Sequence, residues 1–360
     1  MMRLCLIIYG SLDTLTGGYL YDKFLVAHLR QKGHKIDIIS LPLRRYGHHL
    51  VDNFSKKLRS ALTKKIYDLI LQDELNHPSL FLLNQKLRKH GSGPIVSIVH
   101  QVLSSQPRGR LINKLFQTIE KIYLSSVDAF IFNSETTRRN VQGLIGVAGP
   151  SIIASPAGNR LGHLQSSEIV KERSYRSGPL DLVFVGNITP VKGLAPLIES
   201  LALLPPEIWQ LTIVGSLAMD PKYVRKVKRL ISLKNVGQRV DLKGQLDGNE
   251  LINILSNSHL FVMPFSYEGF GIASLEALGF GLPVLGPSAG AVKEFVQPNH
   301  NGFLIDEADS NSLCKHIKDL HRNRHKLARI GLAALTTYHA RPTWNETMES
   351  IHDFLKGLLG

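Results

Sequence analysis

Short apolar runs alternate with longer amphipathic stretches along the whole chain. The apolar runs predict strands, which lie in the first half at Leu4–Tyr9, Lys35–Ser40, Leu69–Gln72, Ile95–His100, Ala129–Asn133 and Ile152–Ser155, and in the second half at Leu182–Gly186, Gln210–Gly215, Val240–Lys243, Leu260–Pro264, Pro283–Gly286 and Gly302–Ile305. Stretches between them, such as Tyr19–Lys32 and Leu111–Leu124, have apolar residues at helical spacing. This alternation is typical of parallel sheets covered by helices. We therefore predict an α/β protein with two doubly wound, Rossmann-like domains that bind ligands at the carboxyl ends of their strands.

The chain of 360 residues is long enough for two domains, because a single core rarely grows beyond roughly 250–300 residues. Residues 161–179 are polar, lack sustained periodicity and end in Ser177-Gly178-Pro179, which is typical of a boundary. We place the first domain at 1–165 and the second at 166–343. A last helical segment, 344–360, could pack back onto the first domain, which its pattern alone does not decide.

The net charge of +14 is unevenly distributed. Residues 1–165 hold 22 Lys and Arg against 10 Asp and Glu, a net of +12, whereas residues 166–360 hold 21 against 19, a net of +2. A basic half predicts a polyanionic partner, although a merely soluble basic surface is an alternative. Nucleic acid is the less favoured partner, because aromatic residues make up only 7% of the chain and do not interleave with the basic ones.

The chain shows no pattern of a metal centre or a membrane span. Cys5 and Cys314 match no zinc or redox spacing, His48-His49 has no carboxylate or cysteine at ligand spacing, and there is no Asp-x-Asp motif. No run reaches ~18 apolar residues. We therefore expect no metal and no cofactor, and a cytoplasmic protein that is at most peripheral on the inner face of a membrane.

The most informative stretch is Phe261–Gly286, FVMPFSYEGFGIASLEALGFGLPVLG. It predicts a buried strand, a glycine-containing loop and a helix from Ile272, with Glu268 before the helix and Glu276 on it. Free N–H groups at such a helix start favour a diphosphate, and a carboxylate deeper in the site can accept two hydroxyls of a sugar. Taken alone, a surface helix with two solvated glutamates would explain the pattern equally well.

The motif Glu268-Gly-Phe-Gly-Ile-Ala-Ser-Leu-Glu276-Ala, followed by Gly281-Leu-Pro283-Val, closely resembles the signature of the retaining family 4 glycosyltransferases of the GT-B fold. That resemblance implies two Rossmann-like domains facing each other across a cleft, and transfer of a hexose from a nucleotide-diphosphate sugar, expected to be UDP-linked. It implies that Glu268 contacts the donor hexose and Glu276 the ribose. The donor-binding residues that it implies are Gly17, Gly18, Gly186, Asn187, Lys192, Gly215, Lys243, Gly244, Glu268, Gly269, Phe270, Gly271, Ile272 and Glu276.

A second site follows the predicted strand ending at Gly186. Lys192, at a loop-to-helix junction, can supply a point charge to the donor diphosphate. The family usually has Arg directly after the first glycine, where this chain has Asn187. With Asn187 in that position, the protein has one positive charge fewer to place against the leaving diphosphate. A catalytically inactive donor-binding protein is therefore an alternative, which the presence of Lys192, Glu268 and Glu276 argues against. Gly215 is expected to serve close backbone approach rather than chemistry.

In the first domain, Gly17-Gly18 resembles the glycine loop that the family places near the donor phosphates. His100 follows a predicted strand, where the family commonly has a histidine near the transferred sugar, and Asp73-Glu74 ends another strand and is a candidate to meet the acceptor. With Lys192 and Glu268, His100 completes the predicted catalytic set. The resemblance implies retention by front-face displacement, with the protein acting through orientation and charge stabilisation.

Two stretches have the pattern of basic amphipathic helices. Phe54–Ile66 has apolar residues every fourth position with lysines opposite, and Leu111–Tyr123 has a second apolar stripe flanked by Arg108, Arg110, Lys114 and Lys121. Such helices suit an anionic membrane surface, and we favour the first stretch over the second for that contact. A lipid or lipid-linked acceptor is therefore the preferred expectation, with a soluble small molecule or a polysaccharide as the alternative.

Overall fold

A computed structural model describes residues 1–14, 16–106, 110–146, 149–162, 165–307 and 309–360. The chain divides into two compact units, one formed by Met1–Pro156 with Trp344–Gly360 and the other by Ala157–Thr343. The first unit contains strands β1 Arg3–Tyr9, β2 Lys35–Leu41, β3 Leu69–Asp73, β4 Ile95–Val99, β5 Ala129–Phe132 and β6 Ser151–Ile153. The second contains β7 Leu180–Val185, β8 Trp209–Val214, β9 Val240–Gly244, β10 Leu260–Val262, β11 Val284–Pro287 and β12 Gly302–Ile305.

Helices connect these strands throughout the described chain. Those of the first unit are α1 Gly17–Gln31, α2 Tyr46–Asp52, α3 Lys56–Leu62, α4 His77–Leu80, α5 Leu83–Lys89, α6 Arg110–Leu124, α7 Glu135–Ile145 and the last helix of the chain, Trp344–Gly357, which is α15. Those of the second unit are α8 Ser167–Tyr175, α9 Leu194–Leu201, α10 Pro221–Leu233, α11 Gly248–Asn257, α12 Ile272–Gly279, α13 Ser310–Arg322 and α14 Arg324–His339. None of the helices described here combines the length and the hydropathy that a bilayer span requires.

Each unit is built on one parallel sheet. The strand order is β2-β1-β3-β4-β5-β6 in the first unit and β12-β11-β10-β7-β8-β9 in the second, and all the pairings are parallel. In both sheets the chain moves outward in one direction and then returns to the other side of its first strand. The resulting switch points lie between β1 and β3 and between β7 and β10. The predicted α/β class with two Rossmann-like domains is confirmed.

The last helix, α15, packs within the first unit. The Trp344 ring stacks on the Phe24 ring of α1 with centroids 4.3 Å apart, and Thr347 Oγ1 donates a hydrogen bond of 2.9 Å to the Ser155 carbonyl. Trp344 is buried. Burial of a large aromatic side chain against α1 makes this segment part of the first unit's core.

Two expectations about local structure differ from the fold. The first unit's leading segment ends at Pro156 rather than at residue 165, and part of the predicted boundary stretch forms α8, whose N-terminus is capped by the Ser166 side chain. The stretch Phe54–Ile66 is helical only over Lys56–Leu62. The Ser55 side chain caps this short helix, and Phe54 and Ile66 lie outside it. The predicted continuous amphipathic helix is therefore wrong.

Candidate functional site

The strongest candidate site of the second unit lies at its switch point. The loop after β7 carries Lys192 and the loop after β10 carries Glu268. Ligands of doubly wound sheets bind where loops from the carboxyl ends of two such strands diverge. The topology therefore brings two sequence-predicted residues to the edge of the sheet where a ligand is expected.

Lys192 and Glu268 are in direct contact. Lys192 Nζ donates a hydrogen bond of 2.6 Å to Glu268 Oε1, and the two side chains are 28% and 11% exposed. A charge-assisted hydrogen bond in such a partly desolvated place is stronger than one in water. Lysine has two further N–H donors, so the pair offers a ligand both positive charge and a carboxylate.

Two glycines let neighbouring loops approach the loop that carries Glu268: Gly193 lies next to Lys192 after β7, and Gly290 lies in the loop after β11. Gly193 has a φ of +66°, and a Cβ there would lie 2.4 Å from the Phe265 carbonyl oxygen. Gly290 has a φ of +80°, and a Cβ there would lie 2.2 Å from the Glu268 carbonyl oxygen. Both distances are below any real contact. Only glycine allows this backbone conformation and this spacing together, so the position of Glu268 depends on both residues.

The N-terminus of α12 follows Glu268. Gly271 is the cap residue, with a φ of +94° and no side-chain cap, and the first N–H groups from Ile272 onward have no acceptor within the helix. These groups and the helix dipole favour an anion. Gly269 keeps the approach free of a side chain. The Phe270 ring is buried with its centroid 5.3 Å from that of Phe295, so Phe270 offers a ligand only its backbone.

Glu276, on the body of α12, is held by a residue that the sequence did not single out. Arg160 Nε and a terminal nitrogen donate to Glu276 Oε1 and Oε2 over 2.7 and 3.0 Å. The hydrogen bond to Glu276 raises the pKa of Arg160 further above its ordinary value. Each carboxylate oxygen has two lone pairs, so the paired Glu276 keeps acceptor capacity for a diol. Arg160 fixes the direction in which that capacity points.

Three further predicted glycines lie side by side at the same sheet edge. The Gly215 N–H donates a hydrogen bond of 2.8 Å to the Gly244 carbonyl, and the Gly186 N–H donates one of 2.9 Å to the Val214 carbonyl. A Cβ at Gly215 would lie 1.9 Å from the Gly186 carbonyl oxygen, so this position requires close backbone approach. Asn187 directly follows Gly186.

The Lys243 side chain forms a 2.7 Å ion pair with Asp241, whose hydrogen bond raises the pKa of the lysine. Lys243 therefore offers the site its backbone, together with that of Gly244.

In the first unit, His100 lies at the carboxyl end of β4 and contacts Asp22 of α1. His100 Nε2 and Asp22 Oδ1 are 3.1 Å apart. Burial lowers the pKa of His100, but Asp22, with Asp73 and Glu74, more than offsets this, and the net pKa lies above its ordinary value. A Cβ at Gly18 would lie 3.1 Å from the ring of His100. Gly18 therefore leaves the room that the histidine ring needs, and Gly17 is the first residue of α1.

The candidate acceptor residues Asp73 and Glu74 are both buried. Burial and the charge of Asp22 raise the pKa of Asp73 to about 7, and burial raises the pKa of Glu74 to about 8. Burial lowers the pKa of the neighbouring His77 to about 4. His77 Nδ1 lies 3.0 Å from Glu74 Oε1, but with these pKa values both groups are neutral at pH 7, so the contact is not an ion pair. Glu74 is enclosed too fully to meet an acceptor directly.

The structure adds residues to both sites. Asp22 lies one helical turn after Gly18, and this i, i+4 spacing was the available signal for it. Ligand-type atoms of Asp22, Asp73 and His100 all lie within 4.8 Å of one another, as do those of Glu74, His77 and Glu120. Neither group has a recognisable spacing in the sequence, because its members come from separate elements.

Comparison with known proteins identifies the family. The model described as "Glycosyl transferases group 1" matches residues 165–336, and the model described as "Glycosyltransferase Family 4" matches residues 23–156. Together they cover most of the chain. The protein belongs to this family of glycosyltransferases and has the GT-B type of fold.

Individual relatives are distant. A protein of the cps region of Klebsiella pneumoniae, described only as an uncharacterized 41.2 kDa protein, is 23% identical and covers 93% of this chain and 78% of its own. A GDP-mannose-dependent monoacylated alpha-(1-6)-phosphatidylinositol monomannoside mannosyltransferase from Corynebacterium glutamicum is 29% identical over 41% of this chain and 39% of its own. A D-inositol 3-phosphate glycosyltransferase from Xylanimonas cellulosilytica is 23% identical over 69% of this chain and 60% of its own.

Solved structures share the fold over nearly the whole chain. Sucrose-phosphate synthase from Thermosynechococcus elongatus has a TM-score of 0.82 at 19% identity and covers 99% of both chains. Anabaena HepE in complex with UDP and glucose has a TM-score of 0.76 at 19% identity and covers 99% of this chain and 100% of its own. At this level of identity the likeness concerns the fold.

The protonated Glu74 leads to a prediction about stability. Its raised pKa means that the folded state binds a proton that the unfolded state loses above about pH 4.5, so the unfolding free energy falls as pH rises toward 8. One pKa unit corresponds to about 1.4 kcal/mol. We expect Glu74→Gln to raise the midpoint of thermal unfolding by several degrees at pH 8 and by much less at pH 5, as measured by calorimetry.

Glu135→Gln is the matched control, because Arg138 lowers the pKa of Glu135 and this variant should gain nothing at pH 8. An equal effect of Glu74→Gln at both pH values would contradict a protonated Glu74.

Proposed function

We propose that this glycosyltransferase moves a hexose from a UDP-linked donor to a lipid or lipid-linked glycan at a membrane surface, with retention of anomeric configuration. The observation that carries the donor part is the contact between Lys192 and Glu268 at the switch point, beside the N-terminus of α12. This arrangement joins positive charge, free N–H groups and a carboxylate in one place. A nucleotide-diphosphate sugar needs all three.

Each group has a proposed role toward the donor. The diphosphate lies against Lys192 and the first turn of α12, Glu268 accepts hydroxyls of the hexose, and Glu276 accepts the ribose hydroxyls in the direction set by Arg160. Structures of Anabaena HepE with UDP and with UDP-glucose support uridine as the base. The relatives named as GDP-mannose-dependent mannosyltransferases make guanosine the alternative.

The proposed reaction is a front-face displacement. The bond between the anomeric carbon and the diphosphate oxygen breaks, the acceptor oxygen forms the new bond on the same face, and its proton passes to the leaving diphosphate. Lys192 and α12 stabilise the charge that grows on the diphosphate. His100, held by Asp22, is proposed to contact the transferred sugar, as the family resemblance implies.

The lipid acceptor is supported by relatives named for phosphatidylinositol mannosides. Relatives named as D-inositol 3-phosphate glycosyltransferases keep a soluble acceptor as the second candidate. The charge difference between the two units supports a lipid acceptor less strongly than the predicted domain bounds suggested. Counted over the observed units, the first holds 22 Lys and Arg against 13 Asp and Glu, and the second 21 against 16, so the nets are +9 and +5. Two free, buried cysteines, Cys5 and Cys314, support a cytoplasmic location.

A panel of nucleotide sugars tests the donor. We expect UDP-sugars to raise the midpoint of thermal unfolding by several degrees at saturating concentration, since ligand at about 100 times its Kd adds about 2.7 kcal/mol. GDP-, ADP- and dTDP-sugars are the matched comparison. Stabilisation by GDP-mannose alone would refute the uridine assignment, and stabilisation by none would refute the donor site.

Glu276→Ala should weaken binding of the nucleoside diphosphate about ten- to a hundredfold, because hydrogen bonds to a charged group contribute about 1.5–3 kcal/mol. Calorimetric titration with UDP measures the loss. Glu199→Ala, on the exposed side of α9, is the control and should bind normally. Arg160→Ala should cause a smaller loss, and an unchanged affinity in Glu276→Ala would exclude the ribose role.

Lys192→Ala should lower kcat by about a hundredfold and change KM for the donor much less, because its interaction strengthens as charge develops on the leaving group. Steady-state turnover of the donor found by the panel measures both constants. Lys226→Ala on α10 is the control. A rise in KM alone would show that Lys192 only binds the donor.

A further inference from the structure

Helix α6 has apolar residues on two of its sides. Phe116, Ile119 and Tyr123 are buried, whereas Leu111, Leu115 and Ile122 are 85%, 51% and 40% exposed. A fourth exposed apolar residue, Ile112, is 58% exposed and lies off this line. The first three occur at i, i+4 and i+11, which places them in one row along the helix. We call Leu111, Leu115 and Ile122 the α6 row.

A basic cleft borders the α6 row. It has a volume of about 710 Å³ and is lined by residues of α5, α6 and α7, among them Lys114, Lys121 and Ile122. Arg88 of α5 also lines it but is paired with Asp128. Within the described residues, neither Lys114 nor Lys121 has a carboxylate within 4.0 Å. The cleft therefore presents two uncompensated ammonium groups next to an exposed apolar row.

The acidic residue of α6 does not weaken this charge at the surface. Glu120 is buried on the other side of the helix, where its carboxylate accepts hydrogen bonds from the Leu103 and Ser104 N–H groups. Burial raises its pKa to about 7. Arg108 and the side chain of Arg110 lie outside what the structure describes, so among the described side chains of α6 the basic residues of this surface are Lys114 and Lys121.

We propose that the α6 row and its basic cleft form a binding surface for an anionic phospholipid leaflet. The row enters the boundary between headgroups and acyl chains, and Lys114 and Lys121 contact headgroup phosphates in the cleft. Interfacial helices combine an apolar face with basic residues in this way. The surface stands on the geometry of α6, and only its use to reach a lipid acceptor rests on the proposed function.

Other helices of the chain are basic but carry no exposed apolar row. Comparison with them separates the contribution of charge from the contribution of apolar contact. Helix α10 exposes Lys222, Arg225, Lys226, Lys228 and Arg229, which is more basic than α6. Its exposed large apolar residue, Leu233, stands at its end and forms no row. The short helix α3 exposes Lys56 and Lys57 while its Leu62 is buried, and the exposed Phe54 and Ile66 lie outside the helix and form no row on it. The combination found on α6 therefore favours lipid over a purely electrostatic partner.

A second copy of the chain suits this surface less well. A stable protein interface buries about 800 Å² on each partner and is depleted in lysine at its core. Three apolar side chains bordered by two unpaired lysines are well below that extent and have the opposite composition.

Sedimentation with vesicles tests the surface. The probes are vesicles of phosphatidylglycerol and phosphatidylcholine in equal parts, and vesicles of phosphatidylcholine alone. We expect binding to the anionic vesicles that weakens at 1 M salt, where the Debye length is about 3 Å. Leu111→Glu with Leu115→Glu should weaken binding at least about tenfold. Lys114→Glu with Lys121→Glu should weaken it by a similar factor, since each lysine contributes about fivefold.

Lys222→Glu with Lys226→Glu is the matched control and should bind like the unmodified protein. Loss of vesicle binding in that control variant would overturn the proposal. Loss of vesicle binding in Lys56→Glu with Lys57→Glu, combined with normal binding by the α6 variants, would also overturn it. So would dissociation of a dimer by Leu111→Glu with Leu115→Glu in size-exclusion chromatography, which would identify a second copy as the occupant.

Calorimetry with UDP on the same α6 variants separates this proposal from the proposed function. We expect unchanged UDP affinity in both. Vesicle binding without UDP binding would refute the donor assignment and leave the surface in place. UDP binding without any preference for anionic vesicles would refute the surface alone.

Discussion

The functional edge of the second unit depends on loops that touch through their backbones. At Gly193 and Gly290 a single added methyl group would overlap a carbonyl oxygen of the neighbouring loop. Packed interiors do not absorb such an overlap locally, because they are bistable rather than continuously deformable. The spacing of the backbones that carry Lys192 and Glu268 is therefore constrained by main-chain contact, and the two side chains then join through a 2.6 Å hydrogen bond. Such preorganisation is what the donor site proposed above requires.

Buried carboxyl groups are accommodated in two ways, by pairing with a cation and by protonation. In the second unit the carboxylates of Glu268 and Glu276 are paired with Lys192 and Arg160 respectively. In the first unit no Lys or Arg among the described residues pairs with Glu74, and burial raises its pKa to about 8. An opposite charge nearby favours the ionised form of a buried carboxyl group, whereas protonation avoids the cost of desolvating its charge. The first unit contains a charged contact as well, because Asp22 raises the pKa of the adjacent His100.

Much of the fold could be predicted because buried parallel strands are apolar throughout. All twelve predicted strands are present, with ends displaced by at most two residues. Periodicity failed at α3, because the spacing of Phe54 and Ile66 matches a helix that the chain leaves at Leu62. The motifs marked Lys192 and Glu268 separately, but their contact joins residues 76 positions apart. Arg160 carried no signal, since it is a loop residue whose partner lies 116 positions away.

The path of the chain through its units has a consequence for biosynthesis. The second unit, 157–343, is inserted between two segments of the first. A ribosome therefore delivers the whole second unit before it delivers α15. Until residues 344–357 emerge, the face of α1 that carries Phe24 and Tyr21 has no Trp344 to cover it. The unit whose synthesis starts first is thus the one whose core closes last, and a nascent chain exposes that apolar face for the entire time needed to translate its neighbour.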